Sequence, residues 1–145
     1  MQVKIKRIDR ALPLPVYKTD GSVCFDLVAR EDVVVNPGEL ARIRLNLVVE
    51  TPPGYMLMLV PRSSLPAKKQ GLIYPHGVGV IDQDYRGPED ELMLQVKNVG
   101  AQPVAIARGE AIAQAGFVKI DRAELIEIEE LTSVSRGGFG STDAE

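Results

Sequence analysis

The stretch "GVGVIDQDYRG" at residues 77–87 sets two carboxylates, Asp82 and Asp84, on either side of one glutamine. On an extended strand the two would share a face. A carboxylate held there can orient and deprotonate a water molecule, or bind a metal ion. A polar hairpin rim is the commoner fate of such a pair beside Arg-Gly, so spacing alone leaves both readings open. Gly77 and Gly79 do not make a dinucleotide fingerprint, because position 82 is Asp and no helical pattern follows. They read as a bend at which a ligand can approach the backbone.

Two further stretches suit an anion. "PRSSL" (61–65) puts Arg62, Ser63 and Ser64 at the start of a helix-like segment. Backbone N–H groups and a guanidinium together can hold a phosphate, although an ordinary N-cap beside a solvated arginine has the same signature. "RGGFGST" (136–142) offers Arg136, a glycine-rich backbone and the hydroxyls of Ser141 and Thr142. It is not a P-loop, since the lysine is missing and the spacing differs. Phe139 is out of place in a merely frayed end, because disordered tails are poor in aromatics; a single ring there suits a lid over a flat ligand. One histidine, His76, and one cysteine, Cys24, cannot build a zinc site or a disulfide. Cys24 reads as a small core residue and His76 as part of a turn.

The elements that must position these groups are strands. "ARIRLNLVVE" (41–50) alternates, with Ile43, Leu45 and Leu47 on one side and Arg42, Arg44 and Asn46 on the other, which predicts a half-buried strand. "GYMLMLVP" (54–61), "ELMLQVKNV" (91–99) and "EAIAQAGFVKI" (110–120) are apolar runs of strand length. Turn signals recur between them at "NPGE", "TPPG", "RGPED", "VGAQP" and "ARGE", the punctuation of a sandwich or barrel. The single helix candidate is "SSLPAKKQG" (63–71), with a serine cap, Pro66 in the first turn and Gly71 as its stop.

With 145 residues the chain fits one domain large enough for a real core. Its net charge of −3 argues against a surface for bulk nucleic-acid binding, which needs a basic excess. The opening "MQVKIKRIDRALPLP" meets prolines before any apolar run develops, and no stretch reaches membrane-spanning length. The expectation is a soluble, cytoplasmic protein with no nucleic-acid or membrane partner.

Taken in order, "GSVCFDL" (21–27), "PRSSL" (61–65), "GVIDQDYRG" (79–87), "GEAIAQ" (109–114) and "RGGFGST" (136–142) resemble the five motifs of the trimeric dUTPase family. The resemblance spans nearly the whole chain. It implies an all-β, jelly-roll-like β-barrel with one short helix, a catalytic domain over residues 1–131 and a mobile C-terminal arm over 132–145. It implies a homotrimer whose sites are shared between subunits and which hydrolyses dUTP to dUMP and pyrophosphate with Mg²⁺. That would keep uracil out of DNA and supply dUMP for dTMP synthesis.

Carried over by position, Asp82 resembles the base that activates water for attack on the α-phosphorus. Tyr85 resembles the ring under the sugar, which leaves no room for a 2′-hydroxyl. The hairpin from Gly71 to Ile81, including Gly77, Val80 and Ile81, resembles the uracil reader, largely through backbone hydrogen bonds. Asp26 resembles the acid that meets Mg²⁺ through water. Arg62, Ser63, Ser64 and Gln114 resemble phosphate ligands. Arg136, Gly138, Ser141 and Thr142 resemble ligands on the arm, and Phe139 the ring that closes over uracil. His76 stands where many members have Asn, "RGPEDEL" (86–92) adds acids after the third motif, and Asp143 replaces a usual Gly. A dCTP deaminase shares the fold and "RSSL" but not the Tyr-Arg-Gly and Phe-arm combination. A non-catalytic nucleotide-binding regulator is the other alternative, and a regulatory protein partner is left open.

Overall fold

A computed structural model describes residues 1–135 together with Gly137 and Gly138. The largest sheet has the order β2-β11-β6-β8, built from β2 (Phe25–Val28), β6 (Tyr55–Pro61), β8 (Gly79–Ile81) and β11 (Ala111–Lys119). A second has the order β4-β9-β7, from β4 (Leu40–Arg44), β7 (Leu72–Ile73) and β9 (Met93–Asn98). Two ribbons complete the fold: β1 (Ile5–Arg7) with β5 (Leu47–Val49), and β3 (Val33–Val35) with β10 (Val104–Ile106). All these pairings are antiparallel. The only helix among the described residues is one turn, α1 (Leu65–Lys68). This is the expected all-β, jelly-roll-like architecture.

Alternation explains how the sheets enclose one core. β6 turns Leu57 and Leu59 inward, and β9 turns Leu94, Val96 and Asn98 inward. They meet Ile43, Ile106, Ile112 and Ala115 in a continuous apolar cluster. Burial of this kind is the main drive for folding, at about 1.5–3 kcal/mol for each large aliphatic side chain. Asn98 is also fully buried, but its amide donates to Val35 and Gln102 carbonyls at 2.9 and 2.8 Å and accepts from Gly100 N–H at 2.9 Å. A buried amide is tolerated when it is satisfied in this way.

The structure corrects several local expectations. Residues 41–50 are not one strand. The chain breaks at Asn46, whose φ is +64°, and β4 and β5 join different sheets. Asn46 is buried, because its side chain accepts from Asp9 N–H at 2.6 Å and donates to Asp9 carbonyl at 3.0 Å. The helix is a single turn instead of spanning 63–71, and Ser64 stands at its N-cap without a side-chain capping bond. The helix ends at the Lys69 cap, which leaves helical geometry at φ −125°, ahead of Gly71 at φ +94°, where a Cβ would meet Asn98 Oδ1 at 2.9 Å. Gly71 to Ile81 is not a simple hairpin, since β7 pairs with β9 while β8 pairs with β6. β8 ends at Ile81, so Asp82 and Asp84 lie in a turn and not on a strand face. Cys24 is only partly buried.

Candidate active site

Arg62 leaves the end of β6 with its backbone N–H on the Ile112 carbonyl at 3.1 Å. Its Nε stands 3.0 Å from Oδ1 of Asp26 in β2, the two side chains being 31% and 16% exposed. Gln114 of β11 lies directly opposite Asp26 in the ladder and donates to Pro61 carbonyl at 3.3 Å. Three neighbouring strands therefore bring Asp26, Arg62 and Gln114 together. Ser63 and Ser64 follow Arg62 into α1. Just past α1, Lys69 pairs with Glu110 at 2.8 Å and donates to Ala105 carbonyl at 2.7 Å. Burial works to raise the Glu110 carboxyl. The Lys69 bond and charge, the Ala107 N–H and Lys68 outweigh it and hold the carboxyl below its ordinary range. The ion pair clamps α1 to the turn before β11.

A second set of groups surrounds a cavity of about 240 Å³ beside β8. Tyr74, His76, Val80, Ile81 and Tyr85 line it, with Arg42 and Gln95 from outside the expected motifs. Gly77, at φ +72°, makes the bend before β8 and is exposed. Gly79 is packed instead: a Cβ there would meet Leu59 and the Tyr74 hydroxyl at 3.1 and 3.2 Å. The close approach at Gly79 is thus made by the protein itself. Tyr74 donates to the Leu59 carbonyl at 3.4 Å, and burial pushes its phenol up. Tyr85 donates to the Glu91 carbonyl at 3.1 Å. Burial, with the Asp90 and Glu91 charges, pushes the Tyr85 phenol up as well. Both phenols therefore remain hydrogen-bond donors at neutral pH.

Asp82 faces a third space, of about 510 Å³, shared with Asp84, Gln83, Arg86 and Arg122. The two acids thus do address one cavity, through a turn closed by Tyr85 N–H on the Asp82 carbonyl at 3.4 Å. Gln83 between them is turned back to donate to the Tyr55 carbonyl at 2.9 Å.

The first set and the acids belong to opposite ends of β6. Ile81, which precedes Asp82, pairs with Leu57, whereas Gln114 pairs with Val60 and Arg62 lies beyond Pro61. Five strand positions, about 17 Å of backbone, separate Leu57 from Arg62. Within one chain Asp82 does not meet Arg62, Gln114 or Asp26. The 240 Å³ cavity beside β8 is also below the roughly 300–1,000 Å³ of common ligand clefts.

Arg136, Phe139, Ser141 and Thr142 lie outside the described residues, as do Gly140 and Asp143. Gly138 is exposed, with nothing within 4 Å of a Cβ built on it. Among the described residues no three His, Cys, Asp or Glu side chains converge on one point. A cage made wholly of protein ligands is therefore absent there. Magnesium commonly takes only one or two carboxylates and shares the rest of its shell with water and substrate phosphates. One partly buried carboxylate, Asp26, beside a cation and an amide fits that mode of holding.

Arg42 and Gln95 carried no site signal in the sequence; they reach the cavity through β4 and β9, whose pairing is not a local property.

A dUTPase family model matches residues 10–143. The chain is 41% identical to the deoxyuridine 5'-triphosphate nucleotidohydrolase of Thermobifida fusca, over 98% of this chain and 79% of that one. It is 42% identical to the protein of the same name from Caldanaerobacter subterraneus subsp. tengcongensis, over 97% of this chain and 96% of that one. Among solved structures, the Staphylococcus bacteriophage 80alpha dUTPase with dUPNHPP superposes with a TM-score of 0.84 at 28% identity, covering 97% of each chain.

Proposed function

This chain belongs to the dUTPase family, and from that premise we propose that it hydrolyses dUTP to dUMP and pyrophosphate in a homotrimer whose sites are shared between subunits. What carries the shared site is the register of β6, which holds Asp82 and Arg62 at opposite ends of one strand. A neighbouring copy brings its own β8 and Asp82 to the Asp26–Arg62–Gln114 cluster. The segment after β11 supports the same assembly. Leu125, Ile126, Leu131 and Val134 are 92, 77, 79 and 96% exposed in a single chain. A second copy gives these exposed apolar side chains a surface to cover.

In this proposal the backbone of Gly77, Val80 and Ile81 reads the uracil edge, and Tyr85 lies under the deoxyribose. Arg62, Ser63, Ser64 and Gln114 bind phosphate oxygens. Asp82 accepts a proton from water as the water oxygen bonds to the α-phosphorus. The bond from that phosphorus to the α,β-bridging oxygen breaks, and pyrophosphate leaves. Such a reaction needs positioning and charge neutralisation more than a covalent catalyst. Asp26 would hold Mg²⁺ through water, and the ion when bound would neutralise charge on the triphosphate. Residues 132–145 act as the arm: Arg136, Gly138, Ser141 and Thr142 enclose the outer phosphates and Phe139 covers the base. The enzyme works on free nucleotide in the cytoplasm, without nucleic acid or membrane. There it lowers dUTP, and with it uracil in DNA, and supplies dUMP for dTMP synthesis.

The test is pyrophosphate release from dUTP, dCTP, dTTP and UTP in the presence of Mg²⁺, with sedimentation to give the subunit number. Release confined to dUTP by a trimer is expected. Ammonia release from dCTP, or tight binding without turnover, would overturn the assignment.

A further inference from the structure

We infer that Glu91 is a positioning residue that holds Tyr85 at the height where it excludes a 2′-hydroxyl, an inference that rests on the sugar-reading role proposed for Tyr85. Glu91 is 2% exposed, an unusual place for a carboxylate. Its Oε1 accepts from Asn46 N–H at 2.9 Å and forms an ion pair with Arg30 Nε at 3.1 Å. Its Oε2 accepts from Arg44 Nη1 at 3.2 Å. These partners come from three places: the loop after β2, the end of β4, and the left-handed break between β4 and β5.

The carbonyl of the same residue receives the Tyr85 hydroxyl at 3.1 Å. Between Tyr85 and Glu91 the chain is a small turn, closed by Asp90 Oδ2 on Gly87 N–H at 2.6 Å. The rim of that turn is held by Lys6 on the Pro88 carbonyl at 2.9 Å and by Arg86 at 3.6 Å from Glu50, while the Tyr85 ring packs against the core. Core packing sets the depth of the Tyr85 ring, the Glu91 carbonyl sets where its hydroxyl end lies, and Glu91 takes its own position from two arginines and the Asn46 backbone. On the next residue, Leu92 N–H donates to the Leu47 carbonyl at 2.8 Å, which fixes the same point to β5.

A buried ion cluster is weak evidence for a stability role, because apolar replacements are often as stable. A stability role and a positioning role differ in what they do to substrate choice. A structural Glu91 sets how much enzyme is folded, and its loss lowers turnover of dUTP and UTP alike. A positioning Glu91 changes the ratio between them.

The experiment compares kcat/KM for dUTP and UTP in wild type, Glu91→Gln, Tyr85→Phe, the double variant and Tyr85→Ala, with melting curves on each. Glu91→Gln and Tyr85→Phe are each expected to lower the dUTP preference by roughly three- to tenfold, the scale of one ordinary hydrogen bond. The double variant is expected to fall no further than the singles, since both act through one contact. Tyr85→Phe leaves the charge cluster intact and tests the hydroxyl–carbonyl contact even if Glu91→Gln folds poorly; a well-folded Glu91→Gln with an unchanged ratio overturns the role of the side chain. An unchanged ratio in Tyr85→Phe, with the ratio collapsed in Tyr85→Ala, overturns the positioning inference alone. An unchanged ratio in Tyr85→Ala removes Tyr85 as the sugar reader, and the inference with it.

Discussion

Arg62 and Asp26 stand 3.0 Å apart as an ion pair, so the cation proposed for phosphate and the acid proposed for the metal restrain one another in the free chain. Asp26→Asn releases Arg62 while removing the carboxylate proposed to hold Mg²⁺ through water. The expected result is a rise of roughly tenfold or more in the Mg²⁺ concentration for half-maximal rate. Binding of metal-free dUTP should be unchanged or tighter. Titration calorimetry with and without chelator separates the two effects, and weaker metal-free binding would place Asp26 among the nucleotide ligands.

Asp82→Asn should keep the fold and dUTP affinity while lowering kcat by about 10²–10⁴-fold, the usual contribution of a positioned general base. Asp84→Asn, in the same cavity, should lose far less. Rates and binding measured on both variants assign the base, and a larger loss at Asp84 would exchange the roles.

Subunit mixing tests the β6 register directly. Asp82→Asn and Arg62→Ala trimers are each expected to be nearly inactive. Unfolding and refolding them together in equal amounts should restore about a quarter of wild-type activity, the chance that a shared site receives both intact residues. No recovery, with exchange proven by mass-tagged chains, would contradict a site built from two copies.

Truncation after Val134 should leave the melting temperature almost unchanged, because the removed segment has one large apolar side chain. Turnover should collapse if Arg136, Ser141 and Thr142 close on the phosphates. Phe139→Ala should be milder, with a loss on the order of 1–3 kcal/mol in dUTP binding by comparison with base–aromatic stacking. Full turnover by the truncated protein would remove the arm from the mechanism.

The Lys69–Glu110 pair gives a pH signature. Glu110 titrates below its ordinary value of 4.5 in the folded chain. The folded state therefore binds this proton less readily than the unfolded state. The resulting stability is present above about pH 4.5 and is lost as pH falls through the lower folded value. Both side chains are partly exposed, which keeps the effect small. Glu110→Gln should flatten this part of the stability curve in urea titrations between pH 3 and 6, and an unaltered slope would place the acid sensitivity elsewhere.

The residues of this chain determine the β class and the turns by themselves, because strand alternation and turn chemistry are properties of near neighbours. Leu57 and Leu59 in β6 point inward as their two-residue spacing requires, and Gly109 takes φ +82° in the expected "ARGE" turn. The order of Asp26, Arg62, Asp82, Tyr85 and Gln114 along the chain was likewise enough to point to one family. Which of them meet was not legible. That depends on β11 lying between β2 and β6 while β8 pairs with Leu57–Leu59 on the other edge of β6, and strand register is settled by packing across the sheet. The same reason hid Asn46 and Glu91. Each is a polar residue in a β-like stretch, and only the folded chain surrounds it with the donors and acceptors that make its burial affordable.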